Sequence, residues 1–132
     1  MNWQDPQILI TQLVAISVMG GLGSVARLLL SRWVGWLPWG TLTGNAVGSV
    51  LAGVGLAVAL ISPDNTDASF TAALMAVGFA GGLSTFSSWA GQTVTLWREQ
   101  KGRQAFWYFF ATTSACGIAV ILGIALGTLL LK

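Results

Sequence analysis

Four long apolar stretches separated by short polar ones organise the chain. The first runs from about Ile8 to Leu30 and is followed by Arg32, Trp33 and Trp36, the mixture of charge and indole expected at a membrane–water boundary. Pro38 restarts the chain, and the second stretch covers about Trp39 to Ile61 before the turn-forming run Ser62-Pro63-Asp64-Asn65-Thr66-Asp67. The third extends from about Phe70 to Trp97 and gives way to a polar loop, Arg98-Glu99-Gln100-Lys101-Gly102-Arg103; the fourth occupies about Phe106 to Leu131. At a helical rise of about 1.5 Å per residue, each is long enough to cross a hydrocarbon layer roughly 30 Å thick. The pattern therefore predicts an all-α, integral membrane four-helix bundle, a single four-span domain over residues 1–132 with no soluble domain. The opening run Met1-Asn2-Trp3-Gln4-Asp5-Pro6 lacks the basic side chains of a cleaved signal peptide, so Ile8 onward reads as mature sequence.

Composition narrows the function. Charged residues make up 8% of the chain, against roughly a quarter in a soluble domain. Six basic side chains scattered at helix ends form no patch, which excludes nucleic acid as a partner. Histidine is absent and Cys116 is the only cysteine, so neither a zinc site of the usual spacing nor an internal disulfide is available. No Asp or Glu lies between Asp5 and Asp64 or between Asp67 and Glu99. Small four-span drug exporters exchange protons for cationic drugs through a membrane carboxylate, and this chain has none to use. An enzyme is disfavoured for a related reason, since the spans hold no histidine, acid or metal set to act as a general base.

Four spans place both termini and the acidic turn on one side of the membrane and the two basic loops on the other. Arg32, Arg98, Lys101 and Arg103 oppose only Lys132, so the positive-inside rule puts those loops in the cytoplasm. The triplet at Gly20-Gly21-Leu22 recurs at Gly81-Gly82-Leu83, but no second half of the fold is visible. A site at mid-membrane would then need a second subunit, and a dimer is expected.

The most informative segment is Gly78-Phe79-Ala80-Gly81-Gly82-Leu83-Ser84-Thr85-Phe86-Ser87-Ser88-Trp89, where adjacent glycines and four hydroxyls interrupt an apolar helix near its midpoint. Irregular backbone at that depth is tolerated only where it is buried in protein or lines a cavity, which predicts a broken third helix at a binding site rather than simple close packing. Phe86 and Trp89, three apart, share a helix face; such rings usually pack, yet their positive edges could also accompany a small anion. Asn45 lies about 9 Å along the second helix, too deep to reach water, and needs a partner: either another helix or a permeating anion. Beside it Gly44, Gly48 and Ala52 form a stripe suited to close helix contact. Arg27, the only basic residue inside a span, either snorkels to the headgroups or faces a watery vestibule where it concentrates anions.

Taken in order, Gly20-Gly21-Leu22-Gly23-Ser24-Val25-Ala26-Arg27, then Gly40-Thr41-Leu42-Thr43-Gly44-Asn45-Ala46-Val47-Gly48-Ser49, then Gly81-Gly82-Leu83-Ser84-Thr85-Phe86-Ser87 resemble the CrcB/Fluc fluoride channel family across three helices. The resemblance implies an antiparallel, dual-topology dimer in the bacterial inner membrane, exporting cytoplasmic fluoride passively through two pores. It implies Asn45 as the pore amide, Phe86 as a ring whose edge meets fluoride, and Arg27 as the vestibule arginine. Gly81 and Ser84 would offer backbone carbonyls to a structural sodium ion at the dimer axis. Thr112, a turn after Tyr108, and likewise Thr85 and Ser87, are candidates for the family's hydroxyl track beside the pore. Two features depart from the family pattern. Trp89 stands where a second phenylalanine is usual, and the basic asymmetry would suit a partner that is an oppositely oriented paralogue rather than a second copy. Two readings from other classes stand beside the channel: an exporter of another small solute and a non-conducting membrane assembly factor.

Overall fold

The computed structural model describes residues 6–61 and 67–131. The start of the chain, the turn at residues 62–66 and Lys132, the one basic residue set against the four of the other side, lie outside the described residues. Among the described residues the fold is all-helical: α1 (Pro6–Leu30), α2 (Trp39–Ile61), α3 (Asp67–Leu83), α4 (Phe86–Arg98) and α5 (Gly102–Leu130). Four runs are long and apolar enough to cross a bilayer: Pro6–Leu30, Trp39–Leu60, Phe70–Arg98 and Gly102–Leu130. The last helix begins ahead of Phe106 because Arg103 and Gln104 are helical without being apolar; hydropathy marks the embedded part of a helix, not its end.

In lipid no hydrophobic force drives one helix against another, so packing depends on how closely backbones approach. The burial pattern follows. Ala57, Ala73, Ala80 and Ala105 are buried, whereas large residues such as Leu28, Leu60 and Ile121 are exposed where lipid would lie. Helix α2 is central, contacting every other helix; α1 packs on α3, and α4 on α5. Glycines make the crossings. A methyl group at Gly123 would collide with the carbonyl of Val50, and one at Gly53 with the carbonyl of Val120, which fixes α2 against α5. One at Gly82 would strike the carbonyl of Gly20, and one at Gly23 that of Phe79, so the two Gly-Gly pairs of the sequence meet in a single α1–α3 crossing.

A tight turn joins α4 to α5. Gln100 adopts a left-handed conformation (φ 60°), its amide donating to Trp97 and that of Lys101 donating to Leu96, the pattern of a Schellman C-cap. Lys101 pairs with Glu99 at 2.7 Å on the exposed surface. Trp33, Trp36, Trp97 and Trp107 stand exposed at this same end, as an interfacial belt requires.

Because the α2–α5 crossing lies away from the α3–α4 junction, it can be tested on its own. Gly123→Val should destabilise the fold by roughly 1–3 kcal/mol through overpacking, read as a lower melting temperature and a smaller monodisperse fraction in detergent.

Candidate functional site

Helix α3 ends at Leu83 and α4 begins at Phe86, so Ser84 and Thr85 belong to neither. Thr85 is extended (φ −154°, ψ 117°), and its amide has left the helical ladder. Asn45 takes it up. The Thr85 amide donates to Asn45 Oδ1 at 2.6 Å, and Asn45 Nδ2 donates back to the Thr85 carbonyl at 3.2 Å. Both residues are buried, each 8% exposed. The partner that Asn45 requires at its depth is therefore the backbone of the α3–α4 junction. Gly48, one turn along α2, lets the junction come close: a methyl there would stand 3.1 Å from the Ala80 carbonyl and from Ser84 Cβ.

The same junction disposes of two helix ends. Thr85 Oγ1 caps α4 by accepting from the Ser88 amide at 3.3 Å and lies within hydrogen-bond distance of the Ser87 and Ser88 hydroxyls. At the end of α3, Ser84 N donates to Ala80, but the donor that would continue the ladder to Gly81, the Thr85 amide, is committed to Asn45. Gly81 is exposed, with nothing within 4 Å of where a Cβ would stand. A helix C-terminal carbonyl that has lost its regular donor on an open face has the chemistry that a hard cation takes, and Gly81 is such a carbonyl.

Two cavities flank Thr85. The first, about 230 Å³, is lined by Asn45, Phe86, Trp89, Thr112, Thr113 and Cys116. Its rings form a ladder: Phe86 and Trp89 have centroids 5.2 Å apart and tilted by 54°, and Trp89 and Phe109 lie 5.0 Å apart at 34°. Phe86 is 76% exposed on the single chain, whereas Thr112 is buried (3%). The second cavity, about 380 Å³, is polar and is bounded by Ser24, Arg27, Ser31, Thr41, Thr85, Ser87, Ser88 and Gln92. Arg27 thus faces a hydroxyl-lined recess, and among the described residues it has no acidic partner. Gln92 also accepts from the fully buried Tyr108 hydroxyl at 2.6 Å, tying α4 to α5 where this recess ends.

The structure therefore gathers Asn45, Phe86, Trp89 and Thr112 around one cavity, and Arg27, Thr85 and Ser87 around the other. Gly81 and Ser84 lie apart from both, on the α3 end. Sequence reasoning missed Phe109, Cys116, Thr41 and Gln92. Phe109, Thr112 and Cys116 recur at helical spacing along one face of α5, a signal available once Thr112 is singled out.

These features describe a small multi-pass membrane protein with two cavities beside an interruption in one span. The sequence model of the family described as CrcB-like protein, Camphor Resistance (CrcB), matches residues 14–124, and the chain belongs to that family. Among curated relatives, a protein of Hahella chejuensis named "Fluoride-specific ion channel FluC" is 33% identical over 92% of this chain and 98% of its own. A protein of the same name from Chlorobium chlorochromatii is 36% identical over 85% of this chain and 88% of its own. Another, from Variovorax paradoxus, is 41% identical over 66% and 70%. Family and fold together make this a multi-pass protein of a bacterial membrane.

Asn45→Ala would leave the amide and carbonyl of Thr85 unpaired at a depth without water. The expected cost is about 2 kcal/mol or more, seen as a lower melting temperature in detergent. A loss of stability smaller than that of an exposed substitution such as Thr113→Ala would count against the clamp.

Proposed function

We propose that the chain is a passive, fluoride-selective channel that lowers cytoplasmic fluoride, working as a dual-topology antiparallel dimer with one pore on each side of the shared axis. The observation that carries this reading is the grouping of Asn45, Phe86, Trp89 and Thr112 around one cavity with no acid in its lining, in a family whose curated relatives are named fluoride-specific channels. Fluoride is a small anion and a strong hydrogen-bond acceptor. Arg27 raises its local concentration in the polar recess, where Thr85 and Ser87 supply hydroxyls in exchange for water. Beyond Thr85 it meets the second N–H of Asn45, the positive edge of Phe86 and the Thr112 hydroxyl. Neutral donors bind such an ion firmly enough to admit it and loosely enough to release it, where a buried cation would trap it.

The open faces at Gly81 and Phe86 suit coverage by a second copy, which also supplies the missing half of a mid-membrane site. At that axis the carbonyls of Gly81 and Ser84 from both subunits would hold a sodium ion. When bound, it contributes positive charge that offsets the cost of nearby anions. The partner is a second copy of this chain or an oppositely oriented paralogue.

Liposomes loaded with fluoride or chloride, holding the purified chain alone and given valinomycin to balance charge, test the reading. Fluoride should leave rapidly and chloride should stay. Phe86→Ile should abolish fluoride loss while the dimer still assembles; unchanged flux in that variant would refute the ring's role. Arg27→Gln should lower flux several-fold in dilute salt, and the difference should shrink as ionic strength approaches 0.15 M, where the screening length is about 8 Å.

A further inference from the structure

We propose that the cleft between the α1–α2 loop and the α4–α5 turn holds an anionic phospholipid, its phosphate met by the basic side chains of that turn and its glycerol end lying on an apolar floor. The proposal concerns the membrane surface and is independent of the channel reading.

The cleft, about 250 Å³, has two chemical characters. Trp36, Leu37 and Leu96 line it with apolar surface, whereas Thr95, Lys101 and Gln104 bring polar groups. A small soluble anion would leave the apolar lining in water, while a phospholipid has both an anionic and an apolar part to place there. The depth also fits. Trp36 stands exposed with Trp33, Trp97 and Trp107 at the end of the bundle, the level at which indoles mark the boundary between headgroups and hydrocarbon.

Charge selects the lipid. The two loops at this end hold Arg32, Arg98, Lys101 and Arg103 against one acid, Glu99. Among the described residues the only ion pair joins Lys101 to Glu99, so the exposed side chains of Arg32, Arg98 and Arg103 have no acidic partner. Lys101 lines the cleft, and Arg98 and Arg103 adjoin the lining residues Glu99 and Gln104 in the chain. A guanidinium presents a planar fork of donors that matches two phosphate oxygens, and each further cation near an anionic headgroup adds to the attraction. A zwitterionic headgroup brings its own cation and gains less at this end. Phosphatidylglycerol, with a net negative charge beside its glycerol, suits both halves of the cleft.

The test exposes the purified full-length chain, in neutral detergent, to phosphatidylglycerol carrying a photoactivatable group high on one acyl chain, and maps the crosslinked peptides by mass spectrometry. Labelling should concentrate on residues 34–38 and 95–104, which contain most of the lining. Unlabelled phosphatidylglycerol should displace the probe, phosphatidylcholine with the same acyl chains about tenfold less well, and soluble glycerol 3-phosphate not at all. Two variants separate the parts of the site. Lys101→Gln combined with Arg103→Gln removes charge and should weaken labelling about tenfold. Thr95→Trp fills the cleft without changing charge and should also weaken labelling, which keeps the test decisive if the double variant does not fold. Equal displacement by phosphatidylcholine, labelling spread evenly along the outer face of α1, or undiminished labelling in Thr95→Trp would overturn the proposal. Displacement by glycerol 3-phosphate as effective as by the lipid would overturn it in favour of a soluble phosphate ester.

Discussion

Between Leu83 and Phe86 the backbone leaves its helical ladder inside a membrane span, where lipid offers no replacement hydrogen bonds, and Asn45 supplies both that Thr85 lacks. Everything of chemical interest is arranged around that exchange. Because the Thr85 amide turns toward α2, its side chain is free to cap α4 and the Gly81 carbonyl loses its regular donor. A single amide on α2 thereby creates a capped helix start facing hydroxyls and an open helix end facing outward. The first favours negative charge and the second positive charge, by the direction of the helix dipole.

The surrounding bundle makes the exchange possible through its smallest residues. Gly48 admits the junction against α2, and Gly20 with Gly82 and Gly53 with Gly123 bring backbones into direct contact. Large apolar side chains face outward, so the interior is left to alanines, glycines and a few polar groups. Each of those polar groups must find a partner: Tyr108 has Gln92 and Asn45 has Thr85. Trp89 Nε1 and Thr112 Oγ1 have none among the described residues.

The four spans were legible in the sequence because a run of apolar residues long enough to cross a bilayer admits few other structures, and the bounds of α2 were read as they stand. That Asn45 needs a partner was also legible from its depth. The partner's identity was not, since Thr85 lies 40 residues away and the bond depends on how α2 meets the α3–α4 junction. The glycine pairs could be seen but not matched, and their meeting at Gly20 and Gly82 is a property of the crossing. Phe109 and Cys116 were given no site role because aromatic and small residues fill much of α5, where the buried hydroxyls of Tyr108 and Thr112 stand out more readily. The family motif placed Arg27, Asn45 and Phe86 as candidates, and the fold added that Arg27 shares its recess with Thr85 whereas Asn45 and Phe86 border the other cavity.

Cys116, the only cysteine, lines the same cavity as Asn45, Phe86, Trp89 and Thr112, and so gives direct access to the question of whether ions pass there. Fluoride efflux from liposomes would be measured before and after complete labelling with a bulky, neutral, membrane-permeant thiol reagent, with the extent of labelling read by intact mass. The expected result is loss of fluoride flux in the labelled chain and no effect of the reagent on Cys116→Ser, which itself conducts. Undiminished fluoride flux through a fully labelled chain would contradict a pathway through this cavity.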